Sequence, residues 1–221
     1  MNSTILEVAL GALIAIILTI GTEYLRKPKL SLRIAPPEDR AYQGRVAKHA
    51  RFLGIEVSNA PLPRIARWMM RNAALQCHGY ITFHHLDGQN VFGRSMPVRW
   101  SSAPEPIPMI LTLGHQQILI TDPARFTLSP RVDIYPGESE RLDVAAKFDE
   151  DEFCYGWSNE SYFSTPHWRN PNWELPPGRY LVKVVVVSAG EKCTGIFRLI
   201  NDVGRQDFRL ELPLPHNKVY G

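Results

Sequence analysis

The residues in this chain that could do chemistry fall in three places, and none has the spacing catalysis needs. His78, His84 and His85 follow Cys77 in QCHGYITFHH. On an extended strand Cys77 and Phe83 share one face, and His78 and His84 share the other. Six residues separate those two histidines, roughly 20 Å along a strand, too far for one tetrahedral metal. Asp149-Glu150-Asp151-Glu152 form an acidic run. Calcium would need oxygen ligands at alternating positions around a sharp glycine turn, so four consecutive acids read as the solvated tip of a hairpin. Cys77 and Cys154 lack neighbours that would favour a thiolate, and no G-x-S-x-G nucleophile elbow occurs. The phosphate-cradling patterns G-x-x-x-x-G-K-[ST] and G-x-G-x-x-G are absent too. No cofactor or metal is expected.

Recognition has a better candidate. Seven aromatics lie between Phe153 and Trp173, interleaved with Asn159, Ser161, Ser164, Asn170 and Asn172. Rigid rings beside adaptable amides suit a binding surface, and a long ordered loop is often functional. Tyr155, Trp157, Tyr162, Trp168 and Trp173 are therefore the expected partner-recognition residues, on a loop spanning 149–175. The competing expectation is that the rings fold over the body as a satellite core.

The element that positions everything is the N-terminus. Ile5 to Gly21 is a nearly unbroken apolar run with one acid, Glu7. At 1.5 Å per residue it reaches roughly 26 Å, the short end of a membrane span. Apolar residues occupy every face, unlike the stripe of a core-packed helix. No basic residue precedes the run and no small-residue cleavage site follows it, which argues against a secretory signal. Residues 1–24 are thus read as a transmembrane anchor. Arg26, Lys27, Lys29 and Arg33 follow closely, so the positive-inside bias places the body in the cytoplasm. Glu7, Gly11, Ala15 and Thr19 fall four apart on one slowly drifting stripe, and Gly11 and Ala15 form a small-xxx-small pair. A carboxyl near the apolar boundary also calls for a partner or the interface. Helix association is the expectation, with a second copy or another membrane protein.

Charge is unevenly spread. The net is +3, but residues 1–110 hold 13 Lys and Arg against 7 Asp and Glu, and residues 111–221 hold 12 against 15. The basic stretch at 25–48 adjoins the anchor, which favours anionic lipid headgroups. Nucleic acid is not expected, because aromatics are sparse there. Three cysteines are too few, and odd in number, for a disulfide framework.

After the anchor, short alternating runs replace helical periodicity. Leu30, Leu32 and Ile34 mark a first strand, and 38–48 reads as a polar loop. Leu53, Ile55 and Val57 mark a second strand, RIARWMMR a helical turn or bulged connection, and Leu75 to Phe83 a third strand. Pro97–Ser101 reads as a short edge strand. Tyr180–Ser188, with four consecutive valines, reads as a central strand. The stretch PGRYLVKVVVV, with Tyr180 at the start of the strand, resembles the penultimate strands of immunoglobulin-like and fibronectin-like sandwiches, which often keep a corner tyrosine there. The PGE turn before Leu142 also recurs in such folds. The resemblance covers the C-terminal strands and implies architecture alone: a mainly β, immunoglobulin-like β-sandwich over 49–215.

These expectations combine into a single-pass membrane protein with a non-catalytic binding or scaffold module, or an accessory subunit of a membrane complex. A different class is a ligand-responsive effector whose helices cluster when the body senses a small molecule. A hydrolase or transferase on a β scaffold is a third reading, which requires a constellation the sequence does not display.

Overall fold

A computed structural model describes residues 2–42, 45–66, 68–106, 109–114, 116–120, 131–164, 166 and 168–213. Helix α1 runs from Asn2 to Arg26, and Pro28 then ends helical geometry. The strands in chain order are β1 (Leu30–Ile34), β2 (Glu38–Tyr42), β3 (Arg45–Asn59), β4 (Ala74–His84), β5 (Met96–Pro97), β6 (Arg99–Trp100), β7 (Met109–Leu113) and β8 (Gln116–Ile120). They continue with β9 (Val132–Ile134), β10 (Ser139–Phe148), β11 (Cys154–Gly156), β12 (Glu174–Leu175), β13 (Arg179–Ser188), β14 (Glu191–Ile200) and β15 (Arg209–Glu211).

Two antiparallel sheets form the body, with a separate β7–β8 hairpin. The first is ordered β1-β3-β10-β11-β12, with β2 added on β3 and β6 on β10. The second is ordered β15-β14-β13-β4-β5, with β9 on β4. Period-two alternation supplies the core between them. Leu53, Ile55, Val57 and Leu142 come from the first sheet, and Ile81, Phe83, Val182, Val184 and Val186 from the second. The valine-rich strand β13 is indeed central, between β14 and β4. Its Tyr180 donates its hydroxyl to the Pro176 carbonyl at 2.8 Å, pinning the entry turn.

Three segments differ from the expectations. Residues 38–48 are not simply a polar loop, because β2 and the start of β3 pair there. Their polar alternation is explained by cross-strand charge: Arg51 grips Asp39 at 2.7 Å, replacing the hydrophobic contacts that usually betray a strand. Pro97–Ser101 is not one edge strand. Met96 and Pro97 pair with β4, whereas Arg99 and Trp100 pair with β10, so the chain crosses from one sheet to the other within five residues. Residues 149–175 are not a long loop. They contain β11, β12 and short 3-10 turns at Asn159–Phe163 and Pro171–Trp173.

A bulge in β10 divides its side chains between two faces. The register with β3 slips between Asp143 and Ala145, leaving Val144 as the extra residue. Leu142 faces the core before the slip, whereas Ala146 and Phe148 belong to the opposite face after it. One strand thereby serves two hydrophobic clusters.

Candidate functional site

The outer face of the first sheet carries the aromatic segment. Tyr42, Phe52, Phe148, Tyr155 and Trp157 form a second core, with Tyr162 and Trp168 packed on it. The rings meet edge to face: Tyr42 and Phe148 at 5.1 Å, Phe52 and Trp157 at 4.9 Å, Trp157 and Trp168 at 5.6 Å. Trp168 sits at φ +69°, a costly backbone for a bulky residue, held where its ring abuts Phe52 and Trp157. The Arg169 guanidinium lies 4.3 Å over the Phe148 ring and pairs with Asp151 at 2.5 Å, closing this cluster from outside. Trp173 lies instead in the main core, its indole N–H donated to Glu160 Oε2 at 2.9 Å.

Of the five rings expected to meet a partner, Tyr155, Trp157 and Trp173 are buried, the two tryptophans at 2% exposure. Tyr162 and Trp168 are half-buried against them. Tyr162 and Trp168 pack on Trp157 and on each other, so part of each ring is taken up within the cluster.

A narrow cleft opens beside this cover, lined by Arg99, Asp143, Trp157, Tyr162 and Trp168 among others, with about 30 Å³ of free space. That is room for a water or two rather than an organic ligand. Buried at its base, Arg99 and Asp143 face each other, Nε to Oδ2 at 3.7 Å. Ser101 donates to Asp143 at 2.9 Å, and Arg99 donates to Asn159 at 3.2 Å and to the Ala103 carbonyl at 3.1 Å. Burial pushes the Asp143 carboxyl above its ordinary range, against the pull of Ser101, Arg99 and Arg141.

Among the described residues, catalytic groups do not converge. Burial raises the Cys77 thiol to about 11 and raises Cys154 as well, so neither is a thiolate near neutrality. His84 is held by the Gly88 carbonyl and the Thr82 hydroxyl, both at 2.9 Å. Among the described residues no group of His, Cys, Asp or Glu is arranged to hold a metal. The acidic run lies on a turn, as expected, but is not free in solvent. His49 N–H donates to Asp149 at 2.8 Å, Lys48 pairs with Glu150 and Arg169 with Asp151. Nearby, Lys147 donates to Asn201 Oδ1 and the Val203 carbonyl at 2.8 Å and to the Glu152 carbonyl at 3.0 Å, a buried cation held by neutral oxygens.

The junction between α1 and the body is heavily tied. Asn59, fully buried, closes β3 and joins several segments. Its Oδ1 accepts from Lys29 N–H, and its Nδ2 donates to the carbonyls of Asn72 and Ile134, each at 3.1 Å. Its own N–H donates to the Glu138 carbonyl at 3.2 Å, and its carbonyl accepts from Gly137 N–H at 2.8 Å. Asn72 N–H donates to the Arg26 carbonyl at 2.7 Å, and Arg71 donates to the Lys27 carbonyl at 2.5 Å. Sequence reasoning read the strand marked by Leu53, Ile55 and Val57 and missed this hub at its end. Its one available signal was an asparagine at a strand end before Ala-Pro, which is common. Asn59→Ala should lower stability by about 1–3 kcal/mol by stranding buried partners. It should also speed proteolysis near Arg26 and Lys27, read as a new cleavage band in detergent-solubilised protein.

Along α1, Gly11 has nothing within 4 Å of the space a side chain would fill, and Thr19 donates its hydroxyl to the Ala15 carbonyl at 2.8 Å. The stripe of Glu7, Gly11, Ala15 and Thr19 is exposed along the helix. Arg26 pairs with Glu23 at 3.6 Å, and the Lys27 ammonium lies 5.8 Å over Tyr24. No protein-family profile, curated protein or solved structure matches the chain, so its reading rests on this geometry.

Proposed function

We propose that the chain is a single-pass membrane protein whose body is a cytoplasmic, immunoglobulin-like β-sandwich, acting as a non-catalytic binding or scaffold module. The observation that carries this is α1. Its stretch Glu7–Arg26 is apolar and long enough to cross a bilayer, with no part buried against the body. A helix with an apolar surface on all sides needs lipid or protein around it. Arg26, Lys27, Lys29 and Arg33, immediately after the span, support the cytoplasmic placement and contact with anionic headgroups.

The strand order supports the sandwich type. The path β1-β3-β10-β6 corresponds to A-B-E-D of an immunoglobulin constant-type domain, and β14-β13-β4 to G-F-C. Tyr180, at the start of the strand in the F position, bonds back to Pro176 as a corner tyrosine does. The strands β2, β11 and β12 are then additions that carry or cover the aromatic cluster.

Two experiments test this reading. Alkaline phosphatase fused after Gly221 should be inactive in a bacterial host; activity would place the body outside. The mature chain should keep its N-terminus and stay with membranes through an alkaline carbonate wash, whereas a cleaved chain would end the anchor reading. Association is expected through the Gly11–Ala15 stripe. Gly11→Ile with Ala15→Ile should abolish crosslinked dimers or heteromers in membranes, and unchanged crosslinking would count against that stripe.

A further inference from the structure

We propose that Trp68 and Met70 make a second membrane contact, lying in the interfacial layer of an anionic bilayer beside the end of α1. The inference rests on the anchored reading above. Trp68 is 79% exposed and Met70 78%, the most exposed large apolar side chains among the described residues of the body, where the next aromatic ring, Tyr135, is 54% exposed. They are not on a loose end. Ala66 N–H donates to the Pro63 carbonyl and Met69 N–H to the Ala66 carbonyl, both at 2.9 Å, which folds the chain here into tight turns. Asn72 N–H and the Arg71 guanidinium then bind the carbonyls of Arg26 and Lys27, holding these turns against the end of the helix.

Depth is set by that attachment. If the apolar run of α1 fills the hydrocarbon layer, its last turn lies in the headgroup region, a layer roughly 5–8 Å thick on each side. Side chains docked on that turn share its depth. Tyr24, 71% exposed, and Leu25, 48% exposed, belong to the same level. An open groove of about 350 Å³ runs between the two elements, lined by Thr22, Glu23, Arg26, Trp68, Met69 and Met70. Tryptophan and tyrosine favour this layer because an apolar ring and a polar edge are both satisfied there. The charges nearby suit anionic headgroups: Arg26, Lys27, Lys29 and Arg71 outnumber Glu23 and Glu191. Helix and turns together make two attachments, which fix the attitude of the body on the membrane instead of leaving it to swing on one linker.

The test uses the full chain in vesicles of equal parts phosphatidylcholine and phosphatidylglycerol, with the phosphatidylcholine brominated as a quencher. Of the five tryptophans, Trp100, Trp157 and Trp173 are buried in the body and Trp168 is half-buried. Brominated lipid should therefore quench the emission carried by Trp68 and little else, and Trp68→Phe should abolish the quenching. Trp68 lies on the surface, so this variant should fold as the parent does. Equal quenching of parent and variant would overturn the proposal. So would a Trp68 shielded from aqueous acrylamide yet untouched by brominated lipid, which would mean that a protein covers it. Protein that stays in carbonate-washed vesicles without quenching sinks this inference alone; protein released by the wash sinks the anchored reading with it.

Discussion

Replacing Arg99 with methionine should lower the stability of the body by about 3–5 kcal/mol, because it strands a buried carboxylate. Arg99 is 4% exposed and Asp143 8%, and the ion pair lies between the first sheet and the aromatic cover. Methionine fills much of the same space, so the loss is one of charge more than volume. The pH dependence identifies the cause. Burial raises the Asp143 pKa in the folded state. A carboxyl with a raised folded value stabilises the fold at pH below its unfolded value, and that contribution disappears as pH rises through the folded one. Without Arg99 the ionised form is harder to hold, so the deficit of the variant should grow with pH and be smallest in acid. Denaturant unfolding of detergent-solubilised protein across a pH series measures it. Asp143→Asn in the same background should recover much of the loss, as a double-mutant cycle on a coupled pair would show. A deficit that is flat with pH and not rescued would mean that Arg99 acts by packing on Tyr162, whose ring lies 5.1 Å away.

Trp157→Ala should cost about 3–5 kcal/mol, the loss typical of deleting a buried tryptophan. The ring is 2% exposed, packed against Phe52, Tyr162 and Trp168. Truncation removes the centre of the second core while leaving the first intact. Near-ultraviolet circular dichroism should lose aromatic signal well below the temperature at which the sheets melt. The same variant decides how the segment works. If its rings serve as a core, a partner captured by the parent should still be captured at temperatures where the variant is folded. Loss of capture from a fully folded variant would return the rings to recognition.

How much could be read from the chain depended on whether one force or several shaped each segment. Leu30–Ile34 was legible because apolar and polar residues alternate along it, and Tyr180–Ser188 because a run of β-branched valines suits a strand. The place of Tyr180 at the strand entry was legible because its bond to Pro176 is local. Glu38–Tyr42 was hidden because its cross-strand contacts are salt bridges, which leave no hydrophobic rhythm. Pro97–Ser101 was legible as a strand but not as two, because residues divided between two sheets give neither enough length to register. The aromatic segment showed its composition but not its address, since the bulge that turns Phe148 toward it is set by pairing with β3, far away in sequence. Asn59 was hidden for a related reason: its bonds reach segments that only the fold brings together.

The pairing of β3 with β10 also sets an order of events during synthesis. Arg45–Asn59 lies near the beginning of the chain, and its main partner, Ser139–Phe148, emerges only after most of it has been made. Distant pairings of this kind fold slowly, because a long loop must close before any contact rewards it. Until then β3 has only β1 and β2 beside it, with one face of Ile55 and Val57 bare. Helix α1 has by that time long left the ribosome. If α1 anchors the chain as proposed, its capture by the bilayer precedes completion of the body, and the unfinished sheet is held at the membrane surface while its apolar face is open.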